Sequence, residues 1–390
     1  MKKRLITLLL PLVMTLGLAA CSGTGTTATM ATPEPTQAAA TQQPAAQTEP
    51  PAQSAEEAGI PRADFVFTDD AGREVEVPGV ITKIVPSGPL AQIVLFAIAP
   101  EMFVGLAAEW SSSAEGIISD EYFNLPYFGQ LYGSANLNVE ELALAGPQII
   151  IDIGEAKGSI VEDMDDLQNQ TTIPAVFVSA TLETMPDTYR KLGYLLGKEE
   201  RGEVLAQFCE RVYSRTTWIM EQVGDDNKVN ALYILGDEGL NVLAKDSYHS
   251  ELIDLLTNNL AVVDDPSSKG SGNAVDMEQI AIWNPDFIIF GPGSIYSTVT
   301  ELPTWGEITA IANGDYIEVP QGPHNWMGTP PSVQRYLGLI WLTAQLYPEY
   351  CDYDVKTEIL EYYELFYSAE LSDAQYDALT ANAFLKANAE

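Results

Sequence analysis

His249 and His324 are the two histidines of the chain, and the three cysteines, Cys21, Cys209 and Cys351, stand far from both. No His, Cys and carboxylate set at metal-ligand spacing forms around them, so neither a zinc enzyme nor a resident metal site is expected. Each histidine can still supply one axial bond to a haem iron or one hydrogen bond to a ligand. His249 precedes a helical run from Ser250 to Asn258, where it either caps the surface or faces a ligand; His324 stands close to Trp326 in a Gly/Pro-rich loop that suits ligand contact. A nucleophile elbow, a Walker loop, an HExxH helix and a Rossmann fingerprint are all missing from the sequence. No catalytic residue is assigned, and the chain is read as a non-enzyme.

In open parallel sheets, ligands sit beyond the carboxyl ends of the strands, so segments that follow apolar strand-like runs hold the remaining candidates. These are Ser87-Gly88-Pro89, Ala108-Glu109-Trp110, Gly154-Glu155-Ala156, Gly236-Asp237-Glu238-Gly239, Gly291-Pro292-Gly293-Ser294 and Gln321 to Met327. Glycine there permits close backbone approach and presents amide donors to an anion, although ordinary turns use the same residues. Trp110, Tyr127, Phe128 and Trp326 are loop aromatics outside any periodic stripe, a pattern that suits a planar or bulky ligand. Arg335 falls in the first turn of a helical run, where the dipole disfavours a cation; it calls for a carboxylate partner or an anionic ligand. The ligand-facing set is therefore Ser87, Gly88, Trp110, Tyr127, Glu155, His249, Gly293, Ser294, His324, Trp326 and Arg335.

What must position these residues is a duplicated element. Val139-Glu140-Glu141-Leu142-Ala143-Leu144-Ala145-Gly146-Pro147-Gln148-Ile149-Ile150-Ile151 matches Met277-Glu278-Gln279-Ile280-Ala281-Ile282-Trp283-Asn284-Pro285-Asp286-Phe287-Ile288-Ile289 at a constant offset of 138 residues. Each copy reads as an amphipathic helix stopped by Gly or Asn before Pro, then an apolar strand of the kind buried on both faces of a parallel sheet. Further strands are expected at Ile81 to Val85, Phe103 to Leu106, Ala175 to Val178, Ala231 to Leu235, Ala261 to Val263 and Tyr316 to Val319, with helical patterns between most of them. Between the halves, Val204, Leu205, Phe208, Val212 and Ile219 recur at helical spacing, predicting one helix of about 37 Å over Glu199 to Val223. The fold class is α/β: two Rossmann-like lobes with largely parallel sheets, joined by one long α-helix, with a ligand cleft between them. The lobes are residues 62–198 and 224–390, joined by 199–223, and the second ends in helices from Val333 to Leu346, from Val355 to Tyr367 and after a Ser372/Gln375 capping box. Tyr362, Tyr363, Phe366 and Tyr367 read as packing, and Cys209 and Cys351 either pair or pack as small apolar side chains.

Ahead of the lobes, Lys2, Lys3 and Arg4, an apolar run from Leu5 to Leu18 broken by Pro11, and Leu18-Ala19-Ala20-Cys21 have the arrangement of a bacterial lipoprotein signal. Residues 1–20 are then the signal peptide and Cys21 the lipidated residue. From Ser22 to Pro61 there is no Lys, Arg or aromatic residue, so residues 21–61 are expected to form a disordered tether with a reach of about 35 Å. The chain is thereby expected on the extracytoplasmic face of the cell membrane. Of its 19 Lys and Arg residues three precede Cys21, leaving 16 against 55 Asp and Glu, a formal charge of −39. Such a surface excludes nucleic acid and repels anionic lipid, so membrane attachment falls to the acyl chains alone.

Several stretches resemble one family: Ile84-Val85-Pro86-Ser87-Gly88 with Phe103-Val104-Gly105, then Glu278 to Asp286, and Trp326-Met327-Gly328-Thr329-Pro330-Pro331-Ser332-Val333-Gln334-Arg335-Tyr336-Leu337-Gly338 running on to Leu346-Tyr347-Pro348-Glu349. With the signal and the duplicated lobes, these look like the solute-binding lipoproteins of ABC importers, of the class handling ferric siderophores, haem and cobalamin. The resemblance implies a monomer that holds its ligand between lobes with little closure, has no cofactor, and delivers a small-molecule metal chelate to a membrane permease. It also implies one exposed Glu per lobe for arginines of the permease; Glu162 and Glu301 stand at the matching helix starts. The candidate loops hold almost no arginine, which speaks against a highly anionic catecholate and leaves hydroxamate or citrate-type ferric chelates, haem, corrinoid and molybdate, so the solute contains Fe, Co or Mo. An iron chelate leads these readings. A tetrapyrrole metal-insertion enzyme on a related fold, and an extracellular adhesion or signalling module that has lost solute binding, are the readings from other classes.

Overall fold

The computed structural model describes residues 62–132, 135–267 and 269–385; the signal segment, Cys21 and the tether lie outside the described residues. The chain enters as a hairpin that the apolar pattern does not announce, β1 (Phe65–Thr68) antiparallel to β2 (Glu74–Val77). From β3 (Ile84–Pro86) the backbone turns through Ser87 and Gly88 into α1 (Pro89–Ile98), where Pro89 fills a first-turn position that needs no amide donor. A long excursion containing α2 (Asp120–Phe123) leads to α3 (Val139–Ala145), whose Asn138 cap accepts from the Glu141 amide. It ends at Gly146 in the left-handed region and returns as β4 (Ile149–Gly154); α4 (Ile160–Thr171) then crosses to β5 (Ala175–Ser179). These three strands form a parallel sheet in the order β3-β4-β5. Phe103 to Leu106, expected as a strand, makes isolated bridges to Ile84 and Tyr127 instead, because a 3-10 turn at Pro100–Met102 abuts it and the Phe128 ring covers Gly105.

α5 (Met185–Leu196) and α6 (Glu199–Val223) follow, and α6 is the single long helix expected between the halves. In the second half β6 (Asn230–Leu235), β7 (Asn241–Val242), α7 (Glu251–Leu256), β8 (Asn258–Asn259) and β9 (Asn273–Ala274) precede the second repeat copy, α8 (Met277–Trp283) and β10 (Phe287–Phe290). α9 (Thr309–Asn313) and β11 (Tyr316–Glu318) complete the sheet, in the order β11-β10-β6-β7-β9 with β8 against the start of β6. β11, β10, β6 and β8 run parallel, while β7 and β9 add antiparallel pairs. Pairing with β6 falls at Asn258–Asn259 rather than at Ala261 to Val263, because Asn258 bonds the Asn230 side chain at 2.7 Å and Val262 turns outward. α10 (Arg335–Leu346), α11 (Val355–Tyr367) and α12 (Asp373–Leu379) close the chain, the last through the Ser372/Gln375 capping box. Tyr362, Tyr363, Phe366 and Tyr367 are core residues, and Cys209 and Cys351 are both free.

Strand alternation assigns each sheet face. Ile149, Ile151 and Ile153 of β4, Val176 and Val178 of β5, Ala231 and Tyr233 of β6 and Phe287 and Ile289 of β10 all join one apolar core, which also takes Leu205, Phe208, Cys209 and Val212 of α6. The opposite residues fill two smaller cores, Ile150 and Phe177 in the first half and Leu232, Ile234, Ile288 and Phe290 in the second. One continuous core therefore runs from the first sheet through α6 and α10 to the second. Hydroxyl groups fasten the same seam: Tyr336 donates to the Leu182 carbonyl at 2.6 Å, Tyr248 to Ala180 at 2.6 Å and Ser332 to Leu90 at 3.2 Å.

α5 and α6 approach closely at Gly193 and Gly202, where a Cβ on Gly202 would lie 2.6 Å from the Tyr189 carbonyl oxygen and 3.1 Å from the Gly193 Cα. Alanine ordinarily gains about 1 kcal/mol over glycine inside a helix. Here that sign reverses: Gly202→Ala is expected to lower stability in urea unfolding by about 1–3 kcal/mol through overpacking.

Candidate functional site

On the first-lobe side, the carboxyl ends of β3 and β4 bring Ser87 and Asp152 together in a buried side-chain hydrogen bond, Ser87 donating. Burial pushes the Asp152 carboxyl up to about 6, against the Ser87 bond and the nearby charge of Lys157. Lys157, on the loop after β4, places its ammonium 2.9 Å from the centroid of the Tyr132 ring, whose hydroxyl donates to Asp163 at 2.9 Å. Burial, then Asp152 and Asp163, push the Tyr132 phenol up; burial lowers Lys157 against the pull of Asp152, Asp163 and Glu155. Gly154 continues this wall with φ of 150°, where a Cβ would press on the Leu90 side chain at 3.3 Å and reach the Tyr248 hydroxyl of the other half at 3.9 Å.

Across the seam, Arg335 at the start of α10 is fully buried and its carboxylate partner is Glu251, at 2.5 Å. It lies under the Tyr248 ring, 5.3 Å from its centroid, and its Nη2 meets no hydrogen-bond partner among the described residues. Burial, with Glu251 and Glu155, pushes Tyr248 up to about 12 against the opposing charge of Arg335. The His249 ring lies beside Gly270 and Thr329, and Asn325 donates to the buried Tyr233 hydroxyl at 2.8 Å, so the loop after β11 backs this wall.

The same loop carries His324, whose ring is 5.6 Å from that of Trp110 of the first lobe, while Ser113 donates to the Pro323 carbonyl at 3.0 Å. His324 Nε2 is shut off from solvent without a partner among the described residues, and burial lowers the imidazole to about 4. Ser87, Gly88, Trp110, Glu155, His249, His324 and Arg335 are thereby brought to one interlobe seam. Trp326 is not on it: its indole is fully buried, edge-on to Trp341 and bonded to the Tyr363 hydroxyl at 3.4 Å. Gly293 and Ser294 belong to the loop whose Ile295 packs over Gly239 beside Trp305, and exposed Tyr127 accepts from Asn136 at 2.8 Å.

Asp152, Lys157, Tyr132 and Tyr248 were not singled out by the sequence, since Asp152 sits inside an Ile-rich strand and the others carry no spacing signal. Glu162 and Glu301 are exposed, the first in the opening turn of α4 and the second in a single 3-10 turn at Val299–Glu301. The repeat itself offers a second surface pair. Leu144 of α3 is 87% exposed and Ile282 of α8 69%, at equivalent repeat positions, each with an exposed carboxylate one turn earlier, Glu140 and Glu278. No helix among the described residues is long and apolar enough to cross a membrane, and no described group of His, Cys, Asp and Glu could hold a metal ion.

Two α/β halves sharing a core, with their sheet ends turned to one seam, define a two-lobed binding protein. The family model for periplasmic binding proteins matches residues 126–323, just over half of the chain, and the chain belongs to that family. Among solved structures it is similar to an ABC transporter solute-binding protein from Sulfurospirillum deleyianum, with TM-score 0.75 and 26% identity over 81% of this chain and 99% of that one. A periplasmic solute-binding protein from Veillonella parvula (TM-score 0.68, 24% identity, 82% of this chain and 98% of that) shares the fold. So does a molybdate periplasmic binding protein of a Haemophilus influenzae ABC transporter (TM-score 0.63, 18% identity, 79% and 99%). No curated protein matches the sequence.

Asp152 and His324 give stability opposite pH dependences. From its ordinary 3.8 to about 6, the folded chain binds the Asp152 proton more tightly than the unfolded chain, so that contribution is lost as pH rises through this window. For His324, from 6.5 down to about 4, the unfolded chain binds more protons, so its contribution is present above the upper value and lost as pH falls. Urea midpoints of Asp152→Asn are therefore expected to climb with pH between about 4 and 6 more steeply than wild type, and those of His324→Gln to climb less or to fall.

Proposed function

We propose that this protein captures a metal-containing solute on the extracytoplasmic face of the membrane and delivers it to the permease of an ABC importer, with a ferric chelate as the leading solute and corrinoid, haem or molybdate as alternatives. The observation that carries the reading is that loops at the strand ends of the two halves meet at a seam, Trp110 against His324 and Tyr248 on the Ala180 carbonyl, with polar groups placed beside them. Binding sites of that make-up suit a bulky solute with a limited set of directed contacts. The ABC transporter role of the Sulfurospirillum relative, at 26% identity along nearly its whole length, supports the transport assignment. The lipoprotein signal at Cys21 supports attachment through lipid.

Isothermal titration of the full chain in detergent with ferric citrate, a ferric trihydroxamate, haem, cyanocobalamin and molybdate tests the solute class. Micromolar or tighter saturable binding of one of them is expected, and Glu155→Trp, an exposed change at the seam, should weaken it at least about tenfold while leaving the thermal midpoint unchanged. Binding of none of the five would remove the metal-solute reading.

Docking is assigned to the matched α3 and α8 surfaces. Each helix runs opposite to the strand it feeds, so Glu140 and Glu278 stand toward the carboxyl ends of their sheets, with Leu144 and Ile282 exposed behind them. A permease with two equivalent membrane-spanning halves would meet equivalent residues on the two lobes, a charged rim around an apolar contact. The double variant Glu140→Lys/Glu278→Lys is expected to retain solute affinity but lose solute uptake in cells, by about tenfold or more. Glu162→Lys/Glu301→Lys provides the comparison, and loss of uptake only in that second variant would move docking to those residues.

A further inference from the structure

We propose that Lys157 is the cleft residue that takes an anionic oxygen of the solute, a carboxylate of a chelate or an oxyanion. The inference rests on the solute-binding reading above and narrows it. In the loops that follow β3, β4, β5, β6, β10 and β11, Lys157 is the single Lys or Arg; the loop after the short parallel strand β8 adds Lys269, next to Gly270. Arg335, a further cation near the seam, is fully buried and already bound to Glu251.

The setting of Lys157 is that of a cation held in reserve. The residue is exposed while its ammonium end is partly enclosed on the face of Tyr132, and it forms no ion pair among the described residues. A cation–π contact keeps the charge oriented without neutralising it, so an ionised oxygen can draw it away at little cost. The surrounding carboxylates do not satisfy it by contact: Asp163 accepts from Tyr132 and Ser159, at 2.9 and 2.8 Å, and Asp152 accepts from Ser87. Gly158, next along the loop, has open space where a side chain would be, which leaves room for the loop and its lysine to approach a ligand. Tyr248 of the other lobe places its hydroxyl near Gly154, three residues before Lys157.

The test is titration of the full chain and of Lys157→Gln and Lys157→Arg with three probes: ferric citrate, molybdate and a charge-neutral ferric trihydroxamate. Wild type is expected to bind ferric citrate or molybdate, whichever source of anionic oxygen fits, with Lys157→Gln weaker by at least about tenfold and Lys157→Arg within about threefold. Equal binding of the anion by wild type and Lys157→Gln would overturn the proposal while leaving the function standing. Wild-type binding of the neutral trihydroxamate alone would do the same. Failure to bind any metal solute would remove the functional reading itself, and this inference with it. Unchanged thermal midpoints in both variants separate a ligand contact from a folding defect.

Discussion

Burial of one face of each sheet in a common core is the constraint from which the remaining features follow. Strands β4, β5, β6 and β10 each send alternate residues into that core, and α6 supplies Leu205, Phe208, Cys209 and Val212 to its middle. Separating the halves would expose apolar surface from both at once, a cost proportional to the area uncovered. The hydroxyl bonds of Tyr336, Tyr248 and Ser332 to carbonyls of the opposite half add direction to a contact that apolar packing alone leaves unspecific. Hinged binding proteins joined by flexible crossovers lack such a shared layer. Here the two walls of the seam rest on one shared core.

That shared packing positions the chemistry at the seam. Arg335 is tolerated with no exposed surface because Glu251 and the Tyr248 ring meet it from the same lobe. Asp152 is tolerated in the middle of an apolar strand because Ser87, at the end of the neighbouring strand, donates to it. Both are buried charges or near-charges whose partners come from a different element, so each is stable only in the folded arrangement. Around them a surplus of acids leaves few cations to spare, and those that remain near the seam are placed individually.

Much of the scaffold was legible because its signals are local. The repeat reads as a helix, a left-handed stop and an apolar strand in both copies, and the structure builds α3–β4 and α8–β10 from it. Glu199 to Val223 forms one helix because its apolar residues keep a 3.6 spacing throughout. Strand edges were less legible: β8 forms at Asn258–Asn259, where side-chain amides bond, rather than along the more apolar Ala261 to Val263. Trp326, which reads as a loop aromatic free to meet a ligand, is drawn inside by Trp341 and Tyr363, residues that the sequence places well after it.

The amino-acid sequence by itself determined the α/β class, the duplication, the long helix and the acidic surface, since hydrophobic period, helix stops and charge are carried by neighbouring residues. It also placed most of the candidate loops, because in parallel sheets function gathers where strands end. Only the tertiary structure decided which residues of those loops face one another. Ser87 and Asp152, Trp110 and His324, and Gly154 and Tyr248 are far apart along the chain and meet through the packing of two sheets against a shared core. Contacts of that kind depend on the register and separation of whole elements, and no local pattern of residues encodes them.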